Sequence, residues 1–494
     1  MPIRARHAFC VVLLLQIGTA ASGNAAVAPS QVSGVDVAAT QSIGRFDNTP
    51  YIRTWGTLHG VVSPSERVVG LNALPKNATG QYEYASQFEI IAPATGGDTV
   101  IVEAENRGVP ALLEMVSEFA ASGSSPATVK YPSGFGNGFL FRHGIAYARV
   151  QWQTGIAAGI PASAQGVGEI VVRDFGRWLS NRFRTRIIGG ISQSGWFVET
   201  FVAEGFNENP VDGTAVYAGA IAIDGTGNWL ALNQFAQAHG TPQQPYLDPT
   251  DPQPISAATL LRRPKSDPFF VDVANYTDFY RLHASVTDTT KLPVGMRRYD
   301  WPSPHVAGGH ETAPYAFRAL HCNGGVPIPL NPISYSPYAR ALVLELAKRV
   351  GSRAASGVPA LPPSTLFELG PAPTDTTHFN LLAGAVLGVP LVDADAQPKG
   401  GVRFPEVEDP VGKPTPVSLP PVVTTSISRV CGNFGGWQPM TAAELTQRYG
   451  SRDRYVRAYA AAVDRLIAAG YLLDSDRSML LQRAAELYAN PAGY

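Results

Sequence analysis

The chain has 494 residues, 45% of them hydrophobic and 16% charged, with a formal net charge of −1. That is enough apolar surface for one large core or two ordinary ones, which excludes a disordered chain, a coiled coil and a collagen-like fibre. The near-neutral balance leaves no basic surplus to neutralise phosphates, so nucleic acid is not an expected partner. With 49 glycines and 41 prolines, the connections should be long and turn-rich.

Residues 1–28 read as an export leader. Arg4, Arg6 and His7 precede a short apolar run from Ala8 to Leu15, and small residues follow from Gly18 to Ala28. The run is too short to cross a bilayer, and no later segment approaches about twenty uninterrupted apolar residues. The expectation is a periplasmic or secreted protein with no membrane anchor once the leader is removed. Cys10 leaves with the leader, and Cys322 and Cys431 remain as an even pair in an oxidising compartment. They are expected to form a disulfide closing a loop of about 110 residues, stabilising by a few kcal/mol in the chain-entropy picture.

Residues 29–494 are expected to form a single domain. From about Val32 to Pro93, short alternating runs such as Tyr51–Trp55 and Tyr82–Phe88 predict antiparallel strands. From Thr99 the pattern becomes that of a mostly parallel sheet with crossover helices. The predicted strands are Thr99–Glu103, Ile145–Gln151, Thr185–Ile191, Tyr217–Ile223, Phe269–Asn275 and Gly295–Tyr299. Helices are predicted over Gly134–Arg142, Gly166–Asn181 and Trp196–Asn207. A polar segment, residues 225–266, interrupts this order as a cap-like insertion, and the Pro-rich residues 390–421 read as a surface excursion. A C-terminal helical extension follows over residues 441–489, near Thr441–Tyr449, Arg452–Ala469 and Asp474–Ala489.

The chemistry concentrates in Gly190-Ile191-Ser192-Gln193-Ser194. An apolar strand enters and a helix pattern leaves, with small residues two before and two after the serine. That arrangement lets a tight turn expose a hydroxyl at a helix N-terminus, so Ser192 is the candidate nucleophile. Gly123-Ser-Ser-Pro-Ala127 satisfies the same small-x-Ser-x-small rule but lacks the strand and the helix. An orienting acid and a base should follow in that order, each at the carboxyl end of a later strand. Asp278 and His305 stand at those places. Asp224, Asp272, His310 and His321 are their rivals. The oxyanion would be received by the backbone N–H of Gln193 and by the loop at Asn106 and Arg107.

These residues resemble the bacterial "alpha/beta hydrolase domain" proteins, exported serine hydrolases of the α/β-hydrolase superfamily. The resemblance runs from about Tyr51 to Ala489. It is carried by Glu105-Asn-Arg-Gly108, Gly138-Phe-Leu-Phe-Arg-His-Gly144 leading to Trp152-Gln153, Ser192-Gln-Ser-Gly195 with Glu204-Gly-Phe-Asn207, Asp224-Gly225, and Gln447 to Tyr455. It implies an α/β-hydrolase fold and cleavage of carboxylic esters with Ser192, Asp278 and His305. The expected partner is a small-molecule ester, with no cofactor and no metal. Trp152, Gln153, Trp196, Trp229 and Phe235 are candidates to line the acyl or aryl pocket, core packing being the other reading. A zinc-peptidase helix is unsupported, because Pro314 stands where the second histidine after His310-Glu311 would be. Gly134 to Gly138 lacks dinucleotide-binding spacing. Two other readings of the same residues stay open: a non-catalytic binding protein on the hydrolase scaffold, and an amidase or acyltransferase using the same triad.

Overall fold

The computed structural model describes residues 28–233, 256–282, 284, 291–306, 331–351, 361–372, 374, 388–415 and 432–492. Two long strands come first, β1 (Gln31–Phe46) and β2 (Thr49–Val62). Asp47 and Asn48 join them with φ of 43° and 70°, the positive angles that a two-residue hairpin needs and that Asp and Asn tolerate best among non-glycine residues. β3 (Tyr82–Pro93) pairs antiparallel with β2 along its whole length. The parallel strands are β4 (Thr99–Ala104), β5 (Ala146–Val150), β6 (Thr185–Ile191), β7 (Gly219–Ile223), β8 (Phe269–Asn275) and β9 (Met296–Trp301). Each lies within two residues of its predicted bounds.

The sheet order is β1-β2-β3-β5-β4-β6-β7-β8-β9, antiparallel from β1 to β5 and parallel from β5 to β9. The chain steps from β4 to one side and then to the other. Such a reversal opens a crevice at the carboxyl ends of the strands beside it. This is the α/β-hydrolase architecture with an extra antiparallel edge.

The helices are α1 (Ala111–Ser117), α2 (Phe139–Arg142), α3 (Val167–Leu179), α4 (Gln193–Glu204), α5 (Ala257–Leu260), α6 (Ser336–Gly351), α7 (Pro405–Glu408), α8 (Ala442–Tyr449), α9 (Arg452–Ala468) and α10 (Arg477–Ala489). Alternation along the strands sorts the core into two layers. On β7, Ala220 and Ala222 face the layer filled by α3 and α4, whereas Ile221 and Ile223 face α1, α6 and the C-terminal helices. The C-terminal extension is part of this second layer. Tyr455, Tyr459, Val463 and Leu466 make one apolar stripe on α9, at helical spacing, and are buried there.

Three expectations need correction. Gly134–Arg142 is not one helix: Gly134, Gly136 and Gly138 take φ of 75°, 61° and 64°, and these left-handed glycines confine helix to a 3₁₀ turn at Ser133–Phe135 and the single turn of α2. The stretch 390–421 is more than a surface excursion. Val402, Phe404, Val407 and Val411 are buried in the second layer, and the strand Gly412–Thr415 pairs antiparallel with the strand Gly436–Pro439. Prolines there set turns around apolar anchors, and residues 416–421 lie outside the described residues. Third, α6 was not predicted. Pro337 sits in its first turn, where proline costs no helical hydrogen bond, so its proline-rich approach masks a buried helix.

Residues 1–27, 234–255 and 307–330 lie outside the described residues, as does Cys431. Most of the leader, most of the cap-like insertion, Phe235, His310, His321 and the Cys322–Cys431 pairing fall there.

Candidate active site

β6 ends at Ile191, and Ser192 follows with φ 58° and ψ −124° before α4 begins at Gln193. A non-glycine residue holds that conformation only when its surroundings over-determine it. Here Ser192 N–H donates to Ile223 O at 2.9 Å, and Trp196 N–H donates to Ser192 O at 3.0 Å. A Cβ on Gly190 would lie 2.3 Å from Ser194 O, and one on Gly195 would lie 2.5 Å from Ile223 O. Ser194 occupies the second small position of the motif and ties the turn: its hydroxyl donates to Ile191 O at 2.8 Å and accepts from Ile191 N–H at 2.9 Å. Ser125, in the competing motif, lies instead in a turn closed by the Ser122–Lys130 bridge, with its hydroxyl 2.8 Å from that of Thr128.

Three strand ends converge on Ser192. His305, after β9, places Nε2 2.8 Å from Ser192 Oγ and Nδ1 2.8 Å from Asp278 Oδ1. Asp278 sits in the 3₁₀ turn Tyr276–Tyr280 after β8. Asp224, after β7 and with φ 59°, puts Oδ1 3.6 Å from the same Nδ1. Asp272, within β8, points elsewhere and accepts from the Thr226 hydroxyl at 2.6 Å.

The histidine is held through its backbone as well: its amide N–H donates to Thr277 Oγ1 at 2.8 Å, and Tyr335 O–H donates to its carbonyl O at 3.1 Å. Asn275, at the end of β8, links the rest. Its backbone N–H donates to Asp278 Oδ2 at 3.0 Å, its side-chain Nδ2 donates to Asp224 Oδ1, and its Oδ1 accepts from Ser303 O–H at 2.6 Å. Asn275, Thr277, Ser303 and Tyr335 were not singled out in the sequence. The Asn-x-x-Asp spacing of a capped turn was the one available signal for Asn275.

Burial sets the protonation states. It lowers the His305 pKa, outweighing the pull of Asp278, and the Arg281 and Arg107 charges push the same way. Burial would raise Asp278, but the His305 charge and hydrogen bond, then the bond from Asp224 and the Arg281 charge, hold it below the usual carboxylate range. Asp224 is pushed well up, first by burial and then by the Asp278 charge. The Arg281 guanidinium is itself buried beside both acids, with Nε and Nη1 lacking hydrogen-bond partners among the described residues.

Across the crevice, the loop after β4 rests against the elbow through Asn106 Nδ2, which donates to Ile191 O at 3.3 Å. Asn106 N–H donates within its own turn to Val109 O at 3.0 Å, so of the two amides expected to face an oxyanion only that of Arg107, at φ 52°, is left by the turn. Behind this loop, Arg149 binds Glu89 Oε2 at 2.8 Å, Glu105 Oε2 at 3.0 Å, Gly108 O at 2.6 Å and Ser124 O at 3.0 Å. Gln153 is buried with Nε2 3.4 Å from Gln193 Oε1, beside the elbow.

The tryptophans are core residues rather than pocket walls. Trp152 packs on Phe197 at 4.2 Å and donates its indole N–H to Glu105 O at 2.9 Å. Trp196 donates to Asp224 O at 2.8 Å, and Trp229 is buried in the first layer. Their amphipathic rings brace the loops that carry the polar groups. Asp224, Asp278 and His305 also bring three ligand-type atoms within 4.8 Å of one another. With the ring nitrogen already hydrogen-bonded to Asp278, the arrangement reads as a proton-handling site. No described helix is long and apolar enough to cross a membrane.

Solved structures similar to the chain include a CE15 glucuronoyl esterase from Teredinibacter turnerae T7901, at 12% identity over 58% of this chain and 78% of that one, with a TM-score of 0.30. S-formylglutathione hydrolase (FrmB) from Staphylococcus aureus is similar at 12% identity over 52% of this chain and 91% of that one, with a TM-score of 0.24. The cell wall degrading esterase LipA from Xanthomonas oryzae is similar at 9% identity over 41% and 55%, also with a TM-score of 0.24. No curated protein matches the chain. Residues 165–482, which carry the elbow, both acids and the histidine, match the alpha/beta hydrolase domain family, and the chain belongs to that family.

Proposed function

We propose that this protein is an exported serine hydrolase that cleaves carboxylic esters through an acyl-enzyme on Ser192. The observation that supports the reading best is the His305 ring, hydrogen-bonded to Ser192 Oγ on one nitrogen and to Asp278 on the other, each at 2.8 Å. In this reading Oγ attacks the ester carbonyl carbon as its proton passes to Nε2. Asp278 keeps the ring in the tautomer that can accept that proton and stabilises the imidazolium. Negative charge on the carbonyl oxygen is met by the backbone N–H groups of Gln193 and Arg107. The tetrahedral intermediate expels the alcohol, which takes the proton from Nε2. A water then gives its proton to Nε2, attacks the acyl carbon and releases the acid, and the proton returns to Oγ.

Hydrolysis of aryl and alkyl esters by the mature protein, beside Ser192→Ala, tests the reading. Retention of most of the rate in the variant would sink it. Analysis of products in the presence of amines and alcohols separates hydrolysis from acyl transfer. The leader at residues 1–28 and the Cys322–Cys431 pair fit a periplasmic or secreted enzyme with one disulfide. Mass measurement of the exported protein before and after reduction checks both.

A further inference from the structure

We propose that the orienting acid of this site is a two-carboxyl unit, in which Asp224 donates a carboxyl–carboxylate hydrogen bond to Asp278 and takes over the imidazole when Asp278 is removed. The inference rests on the Ser192–His305 reading given above.

Four observations carry it. Both carboxyls reach the same ring nitrogen, Asp278 Oδ1 at 2.8 Å and Asp224 Oδ1 at 3.6 Å, so a small shift exchanges them. Both are buried, and one oxygen of each lies within 4.8 Å of the other and of the ring nitrogen; two full negative charges so close in a buried site are unfavourable, which leaves one proton shared. The proton's place follows from the donors around it. Asp224 Oδ1 already accepts from Asn275 Nδ2, whereas Oδ2 receives no hydrogen bond from a described donor, so Oδ2 carries the proton. Finally, Asp224 is as firmly placed as Asp278: its N–H donates to Val273 O at 2.9 Å and its carbonyl accepts from Trp196 at 2.8 Å. Among the described residues the charged groups acting on the pair are His305 after β9, Arg281 after β8 and Asp272 in β8.

Asp224 is thus a positioning residue, acting on Ser192 only through the imidazole. It spreads the charge of Asp278 in the resting protein and provides a second seat for Nδ1–H. A protein with a single orienting acid loses on the order of 10⁴-fold in kcat when that acid is replaced. Here the loss should be split between two residues.

The test is a double-mutant cycle of wild type, Asp278→Ala, Asp224→Asn and the double variant. Two readouts are used: kcat and KM for p-nitrophenyl acetate, and the rate at which a fluorophosphonate phosphonylates Ser192. In the second, the Oγ–P bond forms, fluoride leaves and the serine proton goes to His305. Asp278→Ala should lose about 30-fold in kcat and Asp224→Asn about 5-fold, against on the order of 10⁴-fold for the double variant, far beyond the product of the two. KM should stay within about twofold, since no residue that contacts substrate has changed. A low-field Nδ1–H proton resonance should persist in Asp278→Ala and vanish in the double variant. A single variant Asp278→Ala as slow as the double variant overturns the inference, as does loss of that resonance in Asp278→Ala. Should Asp278→Ala not fold, Asp278→Asn, of nearly equal volume, completes the same cycle. There, removing Asp224 should cost at least about 100-fold, and a cost no greater than in wild type overturns the inference.

The underlying reading fails separately. If wild type neither hydrolyses the ester nor is labelled, or if Ser192→Ala still turns over, the site itself is misread. If those controls hold and the cycle is additive, only the paired acid is wrong.

Discussion

Two buried ion clusters stand at the carboxyl edge of the same sheet, one behind the loop after β4 and one at the ends of β7 to β9. In the first, Arg53 and Arg149 face Glu89 and Glu105, with Arg53 and Glu89 in direct contact and Tyr131 O–H donating to Glu89 at 2.7 Å. In the second, Asp224 and Asp278 face a histidine and an arginine whose Nε and Nη1 make no hydrogen bond to a described residue. Opposite charges that meet one for one, with carbonyls taking further donors, fix a backbone. Acids that outnumber their bonded cations instead leave a proton free to change place. The first cluster therefore anchors the loop that would receive an oxyanion, and the second is the one that would handle the proton of Ser192 in the proposed reaction.

The largest test of this contrast is in the proton-handling cluster. Ser192→Ala and His305→Ala should each lower kcat on an ester by on the order of 10⁵-fold or more, and together by no more than either alone, because they act as a unit. Steady-state rates on one aryl ester check this. Thermal unfolding of both variants should stay close to wild type.

The matched cluster should behave in the opposite way. Arg149→Met strands Glu89 and Glu105 and should cost about 3–5 kcal/mol in urea unfolding, the usual penalty for removing one member of a buried ion pair. Its effect on kcat should follow from the loosened loop, through lost bonds to Gly108 O and Ser124 O. A stable Arg149→Met protein would break the comparison. Trp152→Phe keeps most of the ring and leaves Glu105 O without its donor. It should cost about 1–3 kcal/mol by the same measurement.

The smallest effects are in pH. His305 must be neutral to accept the serine proton, and its lowered pKa keeps it neutral into more acidic solution. The acid limb of kcat/KM should therefore fall below the ordinary histidine value of 6.5. A limb above that value would show Asp278 outweighing burial. The matched cluster should drift the other way. Burial raises Glu105 from 4.5 to about 7 against the pull of Arg149, so the folded protein binds extra proton in that window. Its contribution to stability is complete below 4.5 and is lost as pH rises to about 7. Glu105→Gln should flatten the pH dependence of the urea midpoint.

Much of this was legible in the chain. The strands with their apolar runs, the Gly190-Ile-Ser192-Gln-Ser194 turn, and an Asp and a His after the next strands are local patterns, and Ser192, Asp278 and His305 are residues that the fold brings together. The supporting network was not legible, because Asn275, Thr277, Ser303 and Tyr335 are ordinary polar residues until the strand ends converge. The tryptophans stayed ambiguous for a related reason. A large amphipathic ring suits a pocket wall and a braced loop equally well, and only burial, with a carbonyl under the indole N–H of Trp152 and of Trp196, separates the two.

The sequence by itself determined the sheet, its alternation and the order in which nucleophile, acid and base arrive, since hydrophobic period and turn chemistry act over a few residues. Only the tertiary structure decided which carboxyl meets the imidazole, and it brought two. Asp224 and Asp278 stand at the ends of neighbouring parallel strands, and an ionised acid and its protonated neighbour differ only in surroundings that chain separation conceals.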